Sequence, residues 1–187
     1  QRLVSSVGLE DTLLAVKPAY DEAIAKGLAV GLACGIKNSG IGNGVEEWGR
    51  ARLEVEGGRV VVYNGYTEMG QGLSTVLVQI ASEATGLSAT HFDVRTDTRY
   101  QLACGQTTGS RATLLGGHAV LTAARKLGTA LRFGAQLADL EGRSFAADEA
   151  TRDTTAVEAA VPEPKTHTSY GFATQLCILD AYGHVAR

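Results

Sequence analysis

Residues 50–64 constrain the fold more than any other stretch. Ala51, Leu53 and Val55 fall on one side of this segment and Arg50, Arg52 and Glu54 on the other. Only an extended strand sends successive side chains to opposite faces, so one face is apolar and the other wet. Glu56-Gly57-Gly58 then makes a hairpin turn, and the sequence RVVVYN at 59–64 returns as the partner strand. A hairpin with one apolar face needs a cover to be stable in water.

Downstream, Leu73, Val76, Leu77, Ile80, Ala81 and Ala84 fall on one helical face, and Gly86 stops that helix. Residues 91–96 read as a further strand. A long helix is expected from about Ser110, at its start, to about Leu137. Upstream, residues 8–26 read as a helix interrupted or restarted at Pro18, and the small apolar run 28–36 fits a buried strand. The expected fold class is α+β, with hairpins and mixed sheet packed against two or three helices. Residues 1–140 form the main lobe in this reading. Residues 141–166 lose periodicity and form an irregular surface connection, with room for a short strand around Phe145. Residues 167–187 begin a strand pair, with a turn at Asp180-Ala181-Tyr182-Gly183 and a return strand cut off after His184-Val185.

The 187 residues suffice for one sizeable domain or two small lobes. With 44% hydrophobic and 20% charged residues the chain has the balance of a soluble globular protein, not a disordered one. Twenty-three glycines beside three prolines point to tight turns and close backbone approaches. A net charge of −3 gives no electrostatic case for nucleic acid or an anionic membrane. No run reaches the ~18 apolar residues of a membrane span. Cys34, Cys104 and Cys177 are far apart and form no C-x-x-C pair, so they are expected as reduced, mostly buried thiols of a cytoplasmic protein.

Two glycine-bearing segments could carry a ligand. Residues 65–72 (GYTEMGQG) join a strand to a helix start, where backbone N–H groups are unpaired and the macrodipole is positive. Gly70 and Gly72 let a ligand approach, Gln71 offers an amide, and no Gly-Lys-Ser/Thr follows to make a P-loop. Residues 104–113 (CGQTTGSRAT) sit at a second such junction. Thr107, Thr108 and Ser110 supply hydroxyls, Gly109 permits close approach, and Arg111 adds a cation. Each segment also has a plain reading, as a glycine turn and as a Ser/Thr helix cap. His118 is expected to be buried in its helix, Glu46-Glu47 to be solvated, and Asp93 and Asp97 to face solvent or cap a turn. No Ser/His/Asp or Cys/His arrangement is present in the pattern, so no catalytic residue and no metal ligand is assigned.

The run Thr67-Glu68-Met69-Gly70-Gln71-Gly72, with Thr75 and Val78-Gln79-Ile80-Ala81 after it, closely resembles the Gly-Gln-Gly loop and helix of the xanthine dehydrogenase/aldehyde oxidase family of molybdenum hydroxylases. The stretch from Asp97 through Thr107-Thr108-Gly109-Ser110-Arg111 to Gly117-His118-Ala119 resembles that family's second cofactor-binding segment, and residues 170–183 resemble the strand pair that follows. The resemblance implies a molybdenum cofactor-binding domain-like fold and part of the large, molybdopterin-binding subunit. It implies that Met69, Gly70, Gln71, Gly72, Thr107, Thr108, Gly109, Ser110 and Arg111 bind the cofactor.

It further implies an enzyme that hydroxylates an N-heterocycle or aldehyde with oxygen from water. Iron–sulfur clusters and FAD would sit on other domains or subunits, and the partners would be those subunits, the rest of the large subunit and a small-molecule substrate. The family's first cofactor-contacting domain would precede Gln1 and its catalytic glutamate would follow Arg187, so the chain alone is expected to be inactive. The rival reading is a non-catalytic glycine-loop module that binds a phosphate-bearing small molecule or serves as a subunit interface.

Overall fold

The computed structural model describes residues 7–40, 42–151, 154–156, 158–166 and 168–186. The elements run α1 (Leu9–Ala25), β1 (Ala29–Asn38), β2 (Glu47–Glu56), β3 (Arg59–Asn64), α2 (Leu73–Thr85), β4 (Phe92–Arg95), α3 (Gly117–Arg132), β5 (Ser144–Thr151) and β6 (Tyr170–Leu179). They make an α+β fold in two units, Gln1–Ser39 with Thr166–Arg187, and Gly40–Lys165. No helix among the described residues is long and apolar enough to cross a membrane.

In the first unit β1 and β6 pair antiparallel over ten residues, from Ala29 opposite Leu179 to Asn38 opposite Tyr170. Helix α1 runs unbroken through Pro18 and lies on this pair, where Thr12 Oγ1 and Thr174 Oγ1 share a hydrogen bond of 2.9 Å. One helix on two strands covers little surface. Nearly every residue of β1 is therefore exposed, Cys34 included, where the apolar run had suggested a buried strand. Cys177 on β6 is exposed too, so only Cys104 is the buried thiol expected of all three. The Asp180–Gly183 turn closes through Gly183 N–H to Asp180 O at 3.0 Å, and the return is a single bridge between Leu179 and Val185.

The second unit carries the alternating face. Its strands lie in the order β4-β3-β2-β5, with β2 antiparallel to β3 and β5 and β3 parallel to β4. A parallel step needs a crossover, and α2 supplies it. On β2 the residues Glu47, Gly49, Ala51, Leu53 and Val55 are all buried, and their alternates are half-buried. Leu73, Leu77 and Ala81 of α2 and Ala119, Val120, Ala123, Ala124 and Leu127 of α3 close over that face. Burying one Leu or Val side chain fully is worth about 1.5–3 kcal/mol, so this single layer carries most of the unit's stability. Small residues bring the helices close: a Cβ on Gly128 would lie 2.9 Å from Ala84 O.

Three elements extend or depart from the sequence reading. Strand β5 falls inside 141–166, at the short strand read around Phe145, and it extends the sheet from β2 as far as Thr151, because Phe145 and Ala147 alternate into the core. Strand β6 pairs with β1 rather than with a later strand alone. The helix expected from Ser110 begins as a π-turn over Ala112–Gly116, becomes α3 at Gly117 and ends at Arg132. Ser110 takes a left-handed φ of +60° and does not cap it.

Candidate functional site

Two strand-to-helix junctions of the second unit share one cavity of about 310 Å³. Met69 and Gln71 line it from the β3–α2 junction, and Thr107, Thr108, Gly109, Ser110 and Arg111 from the segment leading into α3. The loops are tied directly, since Thr67 N–H donates to Thr107 Oγ1 at 2.9 Å. Gly70 and Gly72, at φ of +98° and +85°, shape the first loop without lining the cavity.

The first loop satisfies itself. The Glu68 carboxylate accepts N–H bonds from Gly70 at 2.8 Å, Gly72 at 3.1 Å and Ser74 at 2.9 Å. Of these, Ser74 N–H is an orphan donor of the first turn of α2 and the glycine N–H groups lead into it, so the carboxylate occupies the positive helix end that would suit a polar or anionic ligand. The Ser74 amide first, with Gly70 and Gly72 behind it, holds the Glu68 carboxyl below the usual carboxylate range. Gln71 is turned the same way. Its Oε1 accepts from Met69 N–H at 2.6 Å and its Nε2 donates to Thr67 O at 2.8 Å, so both ends of the amide serve the loop's own backbone. Met69 is 65% exposed and presents an apolar side chain at the cavity.

The second loop is the reverse case. Gly109 and Ser110 are successive left-handed residues, at φ of +58° and +60°. For the serine this costs roughly 1–2 kcal/mol and survives only where neighbours enforce it. Three bonds do so: Gly40 N–H to Gly109 O at 2.6 Å, Arg111 N–H to Thr108 O at 3.1 Å and Leu114 N–H to Ser110 O at 3.1 Å. Among the described residues no acceptor meets the backbone N–H of Thr107, Thr108, Gly109 or Ser110, nor the hydroxyls of Thr108 and Ser110. Consecutive donors of this kind form a concavity suited to an anion or a polar ring edge. Gly109 itself is buried. A Cβ there would stand 2.5 Å from Gly40 O, so the close approach that demands glycine is made by the protein's own backbone.

Arg111 does not offer its charge to the cavity. The residue is 2% exposed, and its guanidinium bonds Glu47 through Nε and Gln106 O through Nη1, with Nη2 donating to Cys104 O at 2.9 Å. It also stands 5.5 Å from the centre of the Tyr66 ring. The Tyr66 hydroxyl donates to Trp48 O at 2.7 Å, and burial pushes its pKa up to about 12. Glu47 is fully buried, not solvated. Running the period of two back from Ala51 through Gly49 lands on it, and that signal could have found it. Burial also raises the Cys104 thiol, which accepts from Arg50 N–H at 3.2 Å and donates to Leu102 O at 3.1 Å, so it is a packing group rather than a nucleophile. His118 is 58% exposed at its side chain and lies 3.6 Å from Glu149, outside the core it was expected to enter.

The model of the molybdopterin cofactor-binding domain matches residues 4–175. No curated protein sequence matches the chain. Among solved structures, aldehyde oxidoreductase from Desulfovibrio gigas superposes with a TM-score of 0.67 at 20% identity, over 95% of this chain and 22% of that one. Quinoline 2-oxidoreductase from Pseudomonas putida 86 gives 0.58 at 15% identity, over 95% and 28%. CO dehydrogenase from Oligotropha carboxidovorans gives 0.55 at 19% identity, over 89% and 26%. At such identities the likeness is one of fold, and the chain spans about a quarter of the length of these proteins.

Proposed function

We propose, from the premise that this chain belongs to the molybdopterin cofactor-binding domain family, that it supplies part of the cofactor site of a molybdenum hydroxylase. The observation that carries the reading is the donor set of the second loop: four unaccepted N–H groups and two hydroxyls at a cavity of about 310 Å³. A pterin edge and a phosphate present acceptors, so the chemistry of the donors suits the group. Thr107, Thr108, Gly109 and Ser110 would hold it by hydrogen bonds, with Met69 packing against its flat face. Gly70, Gln71 and Gly72 would shape that wall, and Arg111 would act from behind it. When bound, such a cofactor supplies the redox chemistry that oxidises an N-heterocycle or aldehyde with oxygen from water.

The chain's own part is to bind and orient, and none of its residues is assigned a proton-transfer role. Iron–sulfur clusters and FAD on other domains or subunits, a cytoplasmic setting and a xanthine dehydrogenase- or aldehyde oxidase-like substrate belong to the same proposal. The test is molybdenum and pterin content of the whole enzyme after expression in a host that makes the cofactor. Thr108→Val with Ser110→Ala removes two hydrogen bonds to a charged or polar ligand, at ~1.5–3 kcal/mol each, and lowers affinity by roughly 10²–10⁴-fold. Unchanged cofactor content in that variant would overturn the assignment. A wild-type protein that takes up no pterin but binds simple phosphate esters would establish the phosphate-binding module instead.

A further inference from the structure

We infer that Glu47 and Arg111 form a buried clamp that presets residues 104–110 for their ligand, so that Arg111 is a positioning residue and not the cation that touches it. The inference rests on the cofactor reading only for the identity of the ligand. Its first support is commitment. Nε, Nη1 and Nη2 of Arg111 each have a protein acceptor, and one of these is a carboxylate that is itself fully buried. A guanidinium so engaged has a fixed plane, because its donors form a rigid fork.

The second support is the geometry of the peptide bond. In a trans peptide the C=O and the following N–H point in opposite directions. Holding Gln106 O on Arg111 therefore turns Thr107 N–H away from the guanidinium. Holding Cys104 O does the same to Gly105 N–H. At the other end of the segment, Gly109 O is held by Gly40 N–H, which turns Ser110 N–H outward. The Thr107 and Ser110 donors of the second loop are thus aimed by bonds made on its far side. The segment also wraps the clamp closely: a Cβ on Gly105 would lie 3.7 Å from Nη2 and 3.8 Å from Nη1.

Glu47 comes from β2, 64 positions before Arg111, and its place on the core face is set by the strand's alternation. The sheet therefore dictates where the arginine sits, and the arginine dictates the loop.

Four amides report on the segment because each donates into it: Gly40 to Gly109 O, Arg50 to Cys104 Sγ, Thr67 to Thr107 Oγ1 and the amide of residue 111 to Thr108 O. The experiment is hydrogen exchange at these four in the cofactor-free protein, with Gly86 and Phe133, bonded within their own helix ends, as controls. Arg111→Lys keeps the charge opposite Glu47 but loses the fork. It is expected to speed exchange at the four amides by about tenfold or more beyond any change at the controls. Cofactor content of the same variant in the whole enzyme falls with it. Glu47→Gln, which keeps an acceptor of the same shape but removes the charge opposite the guanidinium, gives the same pattern and serves if the lysine variant does not fold.

Lowered cofactor content with unchanged exchange at the four amides would mean that Arg111 meets the ligand directly, and the clamp would be rejected. Faster exchange with unaltered content would reject the positioning role. If the wild type takes up no cofactor, the proposed function fails, while the exchange data still decide the clamp.

Discussion

Gly109 and Gly40 meet backbone to backbone: Gly40 N–H donates to Gly109 O at 2.6 Å, and a Cβ on Gly109 would stand 2.5 Å from Gly40 O. The glycine is required by this contact before any ligand is considered. Gly109→Ala should cost about 2–5 kcal/mol, combining left-handed strain with an overpacked contact. Gly105→Ala, also at positive φ but with only the Arg111 nitrogens nearby, should cost roughly 1–2 kcal/mol. Urea unfolding of the two variants checks the difference, and equal losses would show that the Gly40 contact has no energetic weight.

The Glu47–Arg111 pair should show the asymmetry of buried ions. Glu47→Ala strands a buried guanidinium and is expected to cost about 3–5 kcal/mol. The double substitution Glu47→Leu with Arg111→Met should recover much of that loss, since two apolar groups leave no orphaned charge. Stability from denaturant unfolding is the measurement. A double variant no better than Glu47→Ala would mean that the pair's other hydrogen bonds dominate.

Glu68 sets an acid limb. Its folded-state pKa lies below the ordinary range because the α2 amides bond the ionised form, the Ser74 amide first. Its stabilising effect is therefore complete above the ordinary glutamate value near 4.3 and fades as pH falls below it. Carbon-detected titration of the Glu68 carboxyl should show the low midpoint, and amide shifts of Gly70, Gly72 and Ser74 should follow it. In Glu68→Gln those amides should stop titrating. A midpoint at or above the ordinary value would remove the carboxylate from the helix end.

At the alkaline end, Tyr63 and Tyr66 are each pushed up to about 12, chiefly by burial, with Glu56 accepting the Tyr63 hydroxyl. A raised pKa means stability that is complete below the ordinary tyrosine value near 10 and lost as pH climbs towards 12. Tyrosinate absorbance should show these two ionising together with base unfolding. Tyr66→Phe should move the onset of that unfolding to higher pH, while losing about 1 kcal/mol at neutral pH for the bond to Trp48 O. Free ionisation of all tyrosines near pH 10 in the folded protein would contradict it.

The parts of the fold that could be read from sequence are those with local causes. The β2–β3 hairpin follows from alternation and a glycine turn, and α2 from its apolar stripe and Gly86. The site loops were legible as places, because glycines and hydroxyls cluster at strand-to-helix junctions. Their inner wiring was not. Glu47 and Arg111 are partners across 64 residues, and Gly40 and Gly109 across 69, and no local pattern announces such pairings. The apolar run of β1 misled for a related reason, since burial depends on how many layers cover a strand and not on the strand alone. His118 misled because small neighbours fit either the inner or the outer side of a helix, and its side faces Glu149.

The π-turn at Ala112–Gly116 has a consequence for how this chain can vary in length. A π-turn holds one residue more than the α-helix it interrupts. Deleting a residue there would give a regular helix, and helical stability alone would favour it. It would also narrow and shorten the turn that directly follows Arg111, since the wide turn covers in five residues about the rotation that an α-helix covers in four. Arg111 would then be drawn away from Glu47, and the 107–110 turn from Gly40 and Thr67. The surplus residue thus acts as a spacer between a rigid helix and a shaped loop. Insertions and deletions should be tolerated on the far side of α3, in the turn after Arg132, and not between Ser110 and Gly117.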